Sequence, residues 1–174
     1  MDTREKPRAI KKILAYFDET GIQHISSKLY VGDYQLLSNG LRVVDRKQSL
    51  SEVASNLIQQ HERFRDEATR AMEAGIELII LVEDGRSIKC LDDVKGWINP
   101  RRYKYCQDHR ISLKGDVEAS IAEYMSHGGA KQPTPGPQLY KTMCTMAERY
   151  RIRWEFCEKA DTGKRIIELL TEGR

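Results

Sequence analysis

The stretch Val31–Leu50, VGDYQLLSNGLRVVDRKQSL, decides how the chain is read. Apolar residues flank a Ser38-Asn39-Gly40 turn signal, so the segment reads as a β-hairpin. It carries two acids, Asp33 and Asp45, and a lysine two residues after the second. Side chains two apart on a strand share a face, which puts Asp45 with Lys47 and turns Arg46 to the other side. The register decides whether Asp33 joins them. A two-residue Asn-Gly loop pairs Asp33 with Arg46. A three-residue Ser-Asn-Gly loop with Gly40 left-handed pairs Asp33 with Asp45, and this register is the expected one. Two facing carboxylates repel unless a cation lies between them. Carboxylate oxygens suit a hard divalent ion such as magnesium or manganese. The competing reading is a solvated strand end with surface ion pairs.

Upstream, PRAIKKILAYFDETG has Ala9, Ile10, Ile13, Leu14 and Phe17 at helical spacing, with Pro7 at the start and Gly21 at the stop. IQHISSKLYVGDYQLL is read as strand up to the turn. Downstream, residues 49–75 read as one amphipathic helix, with Leu50, Val53, Leu57, Ile58, Phe64, Ala68 and Met72 on one face. IELIILVED is an unbroken apolar run that suits a strand covered on both sides, and Glu83 at its end is a secondary site candidate. The tail gives helix, strand, helix in QLYKTMCTMAERY, IRWEFC and TGKRIIELLTEG. Alternating strands and helices imply a layered α/β domain, taken as a single unit over residues 1–174.

Composition narrows the function classes. The 174 residues are 40% hydrophobic and 32% charged, and the net charge is only +3. That excludes a disordered or membrane-spanning chain and does not by itself argue for nucleic acid. The charged start, MDTREKPRAIKK, has no apolar signal core, so a cytoplasmic location is expected. Cys90, Cys106, Cys144 and Cys157 form no CxxC pair and read as reduced packing residues, with Cys106 and His109 at a possible ligand spacing. His61 reads as packed or capping, and Trp97 and Trp154 as packing. Met143 and Met146 read as core or interface. INPRRYKY gathers Arg101, Arg102 and Lys104 beside Tyr103 and Tyr105. It reads either as a solvated loop or as a patch whose cations neutralise phosphates and whose tyrosines stack on bases.

Gly32-Asp33, then Asp45-Arg46-Lys47, then the helix with Arg63 and Phe64 and the strand LIILVED, resemble the XPF-type nuclease domain of the PD-(D/E)XK superfamily, with Hef- and Mus-type endonucleases. Asp45 stands where that family usually has glutamate. DTRE matches the family's opening pattern through Asp2, Arg4 and Glu5. The family's trailing aspartate falls at Ser51, and Glu52 follows it. The resemblance implies a restriction-endonuclease-like three-layer α/β/α sandwich around a mixed central sheet, with a family-atypical insertion at about 85–137. It also implies a magnesium- or manganese-dependent endonuclease acting on branched, flap or forked DNA in repair or recombination. Asp33, Asp45, Arg46, Lys47, Asp2 and Glu5 would form the catalytic set, with Asp33, Asp45 and Asp2 on the metal. Arg4, Arg63, Arg101, Arg102 and Lys104 would contact DNA. No helix-hairpin-helix pattern occurs in the 174 residues, which leaves added DNA affinity to the insertion. Two further readings stay open: an inactive nuclease-fold module that binds DNA or a partner, and a homodimer formed through QLYKTMCTMAERY.

Overall fold

The structure, a computed structural model, describes residues 1–3, 7–85 and 87–173. The predicted Arg4 and Glu5 lie outside the described residues. The elements run α1 (Pro7–Glu19), β1 (Tyr34–Leu36), β2 (Asn39–Lys47), α2 (Leu50–Ile58), α3 (His61–Glu73) and β3 (Glu77–Val82), then a 3-10 turn (Leu91–Gly96). They continue with α4 (Arg101–Asp108), α5 (Val117–Ser126), α6 (Gly136–Tyr150), β4 (Arg153–Phe156) and α7 (Thr162–Thr171). The sheet order is β1-β2-β3-β4, with β1 and β2 antiparallel and the other two pairings parallel. This is the expected mixed sheet.

Strand alternation sorts the core into two layers. Val43, Leu78, Ile80 and Val82 face Leu50, Val53, Leu57, Phe64, Leu139, Met143 and Met146 of α2, α3 and α6. Tyr34, Val44, Ile79 and Leu81 face Ile10, Ile13, Phe17, Ile166 and Leu169 of α1 and α7. Ile79, Ile80 and Leu81 are wholly buried, each worth about 1.5–3 kcal/mol. Helices therefore cover both faces, which gives the three-layer α/β/α sandwich. Tyr105, Cys106 and Ile121 build a third, small cluster in the 85–137 segment. Met143 and Met146 are core residues. The apolar face of α6 offered for self-association is thus used inside the chain. Burial pushes the Cys157 thiol up to about 11, in keeping with a packing role.

Four local expectations change. The hairpin turns at Leu37-Ser38, with Asn39 and Gly40 already in β2, and Gly40 is not left-handed. Tyr34 pairs with Val44 and Leu36 with Asn39, so a bulge in β2 absorbs the difference. Burial of Tyr34 and Val44 in one layer outweighs the turn preference of Asn-Gly. Second, residues 22–33 form no named strand; among the described residues they contribute one isolated bridge, Asp2 to Ser27. Third, the single long helix is two, broken at Gln59-Gln60. Leu50, Leu57, Phe64 and Ala71 keep a seven-residue rhythm through the break and stay buried, while Ile58 and Met72 are exposed. Fourth, His61 opens α3 exposed rather than packed.

Arg46 points into the α1/α7 layer. Its Nη1 donates to Glu83 Oε1 at 3.0 Å, and both side chains are only 2% exposed. Thr162 Oγ1 donates to the same oxygen at 2.9 Å. Removing one partner of such a pair strands the other charge in the core. Arg46→Met is expected to lower unfolding free energy by about 3–5 kcal/mol in urea titration, and Arg46→Met with Glu83→Leu to regain most of it. Gly32 has φ +63°, and a Cβ there would sit 2.3 Å from Val43 Cγ1. Gly32→Ala is expected to cost about 1–3 kcal/mol by the same titration.

Candidate active site

The hairpin register sets the geometry of the first shell of acids. Asp33 N–H donates to the Val44 carbonyl at 3.0 Å, and Arg46 N–H donates to Asp33 Oδ2 at 2.9 Å. Asp33 is therefore clamped to β2 one step past the Tyr34–Val44 pair. Lys47 Nζ reaches both oxygens of Asp45, at 2.9 and 2.8 Å. Asp45 is 3% exposed. Burial alone pushes the Lys47 ammonium down. Asp45, then Asp33 and Glu52, outweigh it and hold the group above its ordinary value. Lys47 is thus a fixed cation inside a ring of carboxylates.

Glu52 owes its place to the start of α2. Ser49 caps the helix by accepting from Glu52 N–H at 3.3 Å, and Glu52 Oε2 accepts from Gln48 N–H at 2.8 Å. The carboxylate is thereby held in the first turn, beside Lys47. Gly32, whose left-handed backbone starts the turn into Asp33, donates its N–H to Glu67 Oε1 on α3 at 3.0 Å. The sequence reading missed Glu67. The signal was present, since Glu67 lies four residues after Arg63 and so on the same helix face.

Lys47, Glu52 and Glu67 open onto a cleft of about 430 Å³. Ser51 beside Glu52, Arg63 and Phe64 of α3 and Arg101 of α4 also line it. Ser55, Asn56 and Gln60 complete a lining that is almost wholly polar, and none of the three was singled out in the sequence. An open, polar groove lined by Lys47, Arg63 and Arg101 with carboxylates beside them suits a phosphate-bearing substrate.

The other predicted residues divide. Asp2 is 1% exposed. Its N–H donates to the Asp33 carbonyl at 2.6 Å, and its Oδ2 accepts from Leu29 N–H at 2.8 Å. It buttresses Asp33 from behind. Arg46 lies across the sheet from Asp45, in the buried pair with Glu83, and its backbone N–H binds Asp33. Helix α4 disperses the basic knot. Arg101 reaches the cleft, Arg102 pairs with Glu118 at 2.8 Å, and exposed Lys104 pairs with Asp108 at 2.8 Å. Tyr103 stays exposed, but Tyr105 is buried and cannot stack on a base. His109 bonds to the Tyr124 hydroxyl at 2.9 Å beside buried Cys106, a packing arrangement.

Among the described residues, no group of three or more His, Cys, Asp or Glu side chains is arranged to hold a metal ion. The donors gathered at Lys47 are carboxylate oxygens, chemically suited to a hard divalent cation. Magnesium is commonly bound through one or two carboxylates, with water and substrate phosphate supplying the rest. The pair Asp33 and Asp45 fits that pattern.

The architecture matches a solved structure, XPF from Aeropyrum pernix, with a TM-score of 0.55 and 24% identity. The match covers 97% of this chain and 61% of that one, so the chain spans about three fifths of its relative. At that identity the likeness carries the fold. The comparison with curated proteins returned no match. The sequence matches the ERCC4 domain over residues 1–170, and the chain therefore belongs to the ERCC4 domain family, a family of DNA nucleases.

Proposed function

We propose that the chain is a divalent-metal-dependent endonuclease that hydrolyses phosphodiester bonds in branched, flap or forked DNA. The observation that carries the reading is Lys47, bonded to Asp45 and surrounded by Asp33 and Glu52, in the lining of a polar cleft bearing Arg63 and Arg101. Asp33 and Asp45 would hold magnesium or manganese. When bound, such an ion polarises the phosphate and lowers the pKa of a bound water. Arg63 and Arg101 would seat the phosphates of the incoming strand. Lys47 stays protonated at neutral pH, so its work is electrostatic: it orients the attacking water and stabilises charge on the phosphoryl oxygens. Gly32 and Glu67 would keep Asp33 in register with Asp45. Arg46 would act as a positioning residue through its backbone.

A role in repair or recombination follows from the substrate class. A second copy of the chain is a further partner to test. It would not use the apolar face of α6, which is buried. The exposed apolar side chains Ile25, Tyr30, Leu37 and Leu41 lie instead around the edge strand β1. No described helix is long and apolar enough to cross a membrane.

The test is a panel of labelled flap, fork, nicked and single-stranded DNAs with magnesium, manganese or EDTA. Wild type is expected to cut branched substrates only with metal. Lys47→Met is expected to lower kcat by about 10²–10³-fold with forked-DNA affinity in EDTA little changed. Asp45→Asn should abolish cutting while circular dichroism shows a folded chain. Full cutting by folded Asp45→Asn removes the assignment. Binding of forks by wild type without cleavage under any metal supports the inactive-module reading instead.

A further inference from the structure

The break between α2 and α3 has a consequence on its far side. Gln60 lines the catalytic cleft, and the next residue, His61, lines a second pocket of about 260 Å³. That pocket is walled by α6 through Lys141, Thr142, Thr145, Met146, Arg149 and Tyr150. The two depressions are therefore lined by consecutive residues where α3 begins. Gln60 makes no side-chain capping bond there, and Phe64 is the first residue whose N–H closes onto the Gln60 carbonyl.

The second pocket is basic. Lys141 and Arg149 are exposed, and among the described residues neither makes an ion pair. By contrast Arg65, Lys95, Arg102 and Lys104 each meet a carboxylate. The Thr142 and Thr145 hydroxyls donate to carbonyls of their own helix, which leaves the attraction to the cations. Lys141 and Arg149 are eight positions apart, about 12 Å along α6. That separation exceeds one phosphodiester repeat, so the two cations would meet phosphates two apart on an extended strand. Glu62 and Glu148 are on the same helices but not among the pocket's lining residues.

We infer that the α6 pocket is a second phosphate-binding subsite, which holds the DNA strand after it passes from the Lys47 cleft over the α2–α3 break. This inference rests on the DNA-cleaving reading above and names the path its substrate takes. Each phosphate neutralised by a cation releases counterions, so the contact is visible in the salt dependence of binding.

The experiment measures fluorescence anisotropy of labelled forked DNA on the full chain in EDTA, so that binding is read without cleavage. Lys141→Glu with Arg149→Glu is compared with Lys11→Glu with Lys12→Glu. The second pair makes the same charge change on exposed positions of α1, across the sheet from α6. The α6 pair is expected to weaken binding at least tenfold and to flatten the slope of log K against log salt by roughly 1.4, two single-strand contacts at ~0.7 each. The α1 pair should stay within about twofold of wild type. If the α6 reversal impairs folding, Lys141→Gln and Arg149→Gln singly should each show about half the slope change. Unchanged affinity and slope in the α6 pair, with wild type binding normally, overturn the subsite and leave the nuclease reading standing. An equal loss in the α1 pair also overturns it, since the effect would then come from overall charge. Failure of wild type to bind forked DNA sinks both.

Discussion

Charge inside a protein is tolerated only where a partner meets it, and β2 buries charge on both of its faces within three residues. Asp45 and Lys47 face the α2/α3 layer, and Arg46 faces the α1/α7 layer. The two pairs have different surroundings. Arg46 and Glu83 are sealed, with a threonine hydroxyl added to the carboxylate. Lys47, bonded to Asp45, lines an open cleft, with further carboxylates close by. A sealed pair fixes the register of β2 against β3, because sliding either strand by one residue would leave both charges unmet. The open pair inherits that register. The chemistry of one face is thus located by the electrostatics of the other.

Much of this was legible in the chain. The apolar run at 78–82 and the alternation through Val43–Lys47 report burial directly, so the mixed sheet and its covering helices could be read. The pairing of Asp33 with Asp45 was expected from a Ser-Asn-Gly loop that does not form; the pairing holds because a bulge restores the register. Asn39-Gly40 is a strong local signal, but a bulge let the strands keep their buried faces and moved the turn to Leu37-Ser38. Local propensity lost to packing there. The α2–α3 break was hidden for a related reason: Leu50, Leu57, Phe64 and Ala71 repeat every seven residues, and a break that preserves phase leaves no mark on the pattern.

Arg46 and the basic knot show the limit of composition. An arginine between an acid and a lysine reads as part of one cluster, yet the pleat sends it to the opposite layer. Arg101, Arg102 and Lys104 read as one patch, yet a helix turns each residue about 100° from the one before it and so points the three in different directions. Only Arg101 is left facing the cleft. The spacing from Arg63 could have marked Glu67, but its bond to Gly32 spans 35 positions and is a contact that only the folded chain creates.

The mixed charge of the cleft bears on how a substrate is held. Asp45, Asp33 and Glu52 act on Lys47, and Arg63 and Arg101 enter the lining from α3 and α4, with Glu67 also on α3. A polyanion drawn in by the arginines alone would meet repulsion from Asp33, Asp45 and Glu52. A divalent cation between acids and phosphate reverses that repulsion, so tight seating beside the carboxylates requires the ion, whereas affinity for the arginines does not. Binding and cleavage are then separable by design of the charge distribution. On the proposed reading, Arg63 and Arg101 would hold the strand whether or not metal is present. The carboxylates around Lys47 would register a phosphate only when the ion completes them. A net charge of +3 is enough for such a protein, because what matters is the ordering of the charges along the groove rather than their sum.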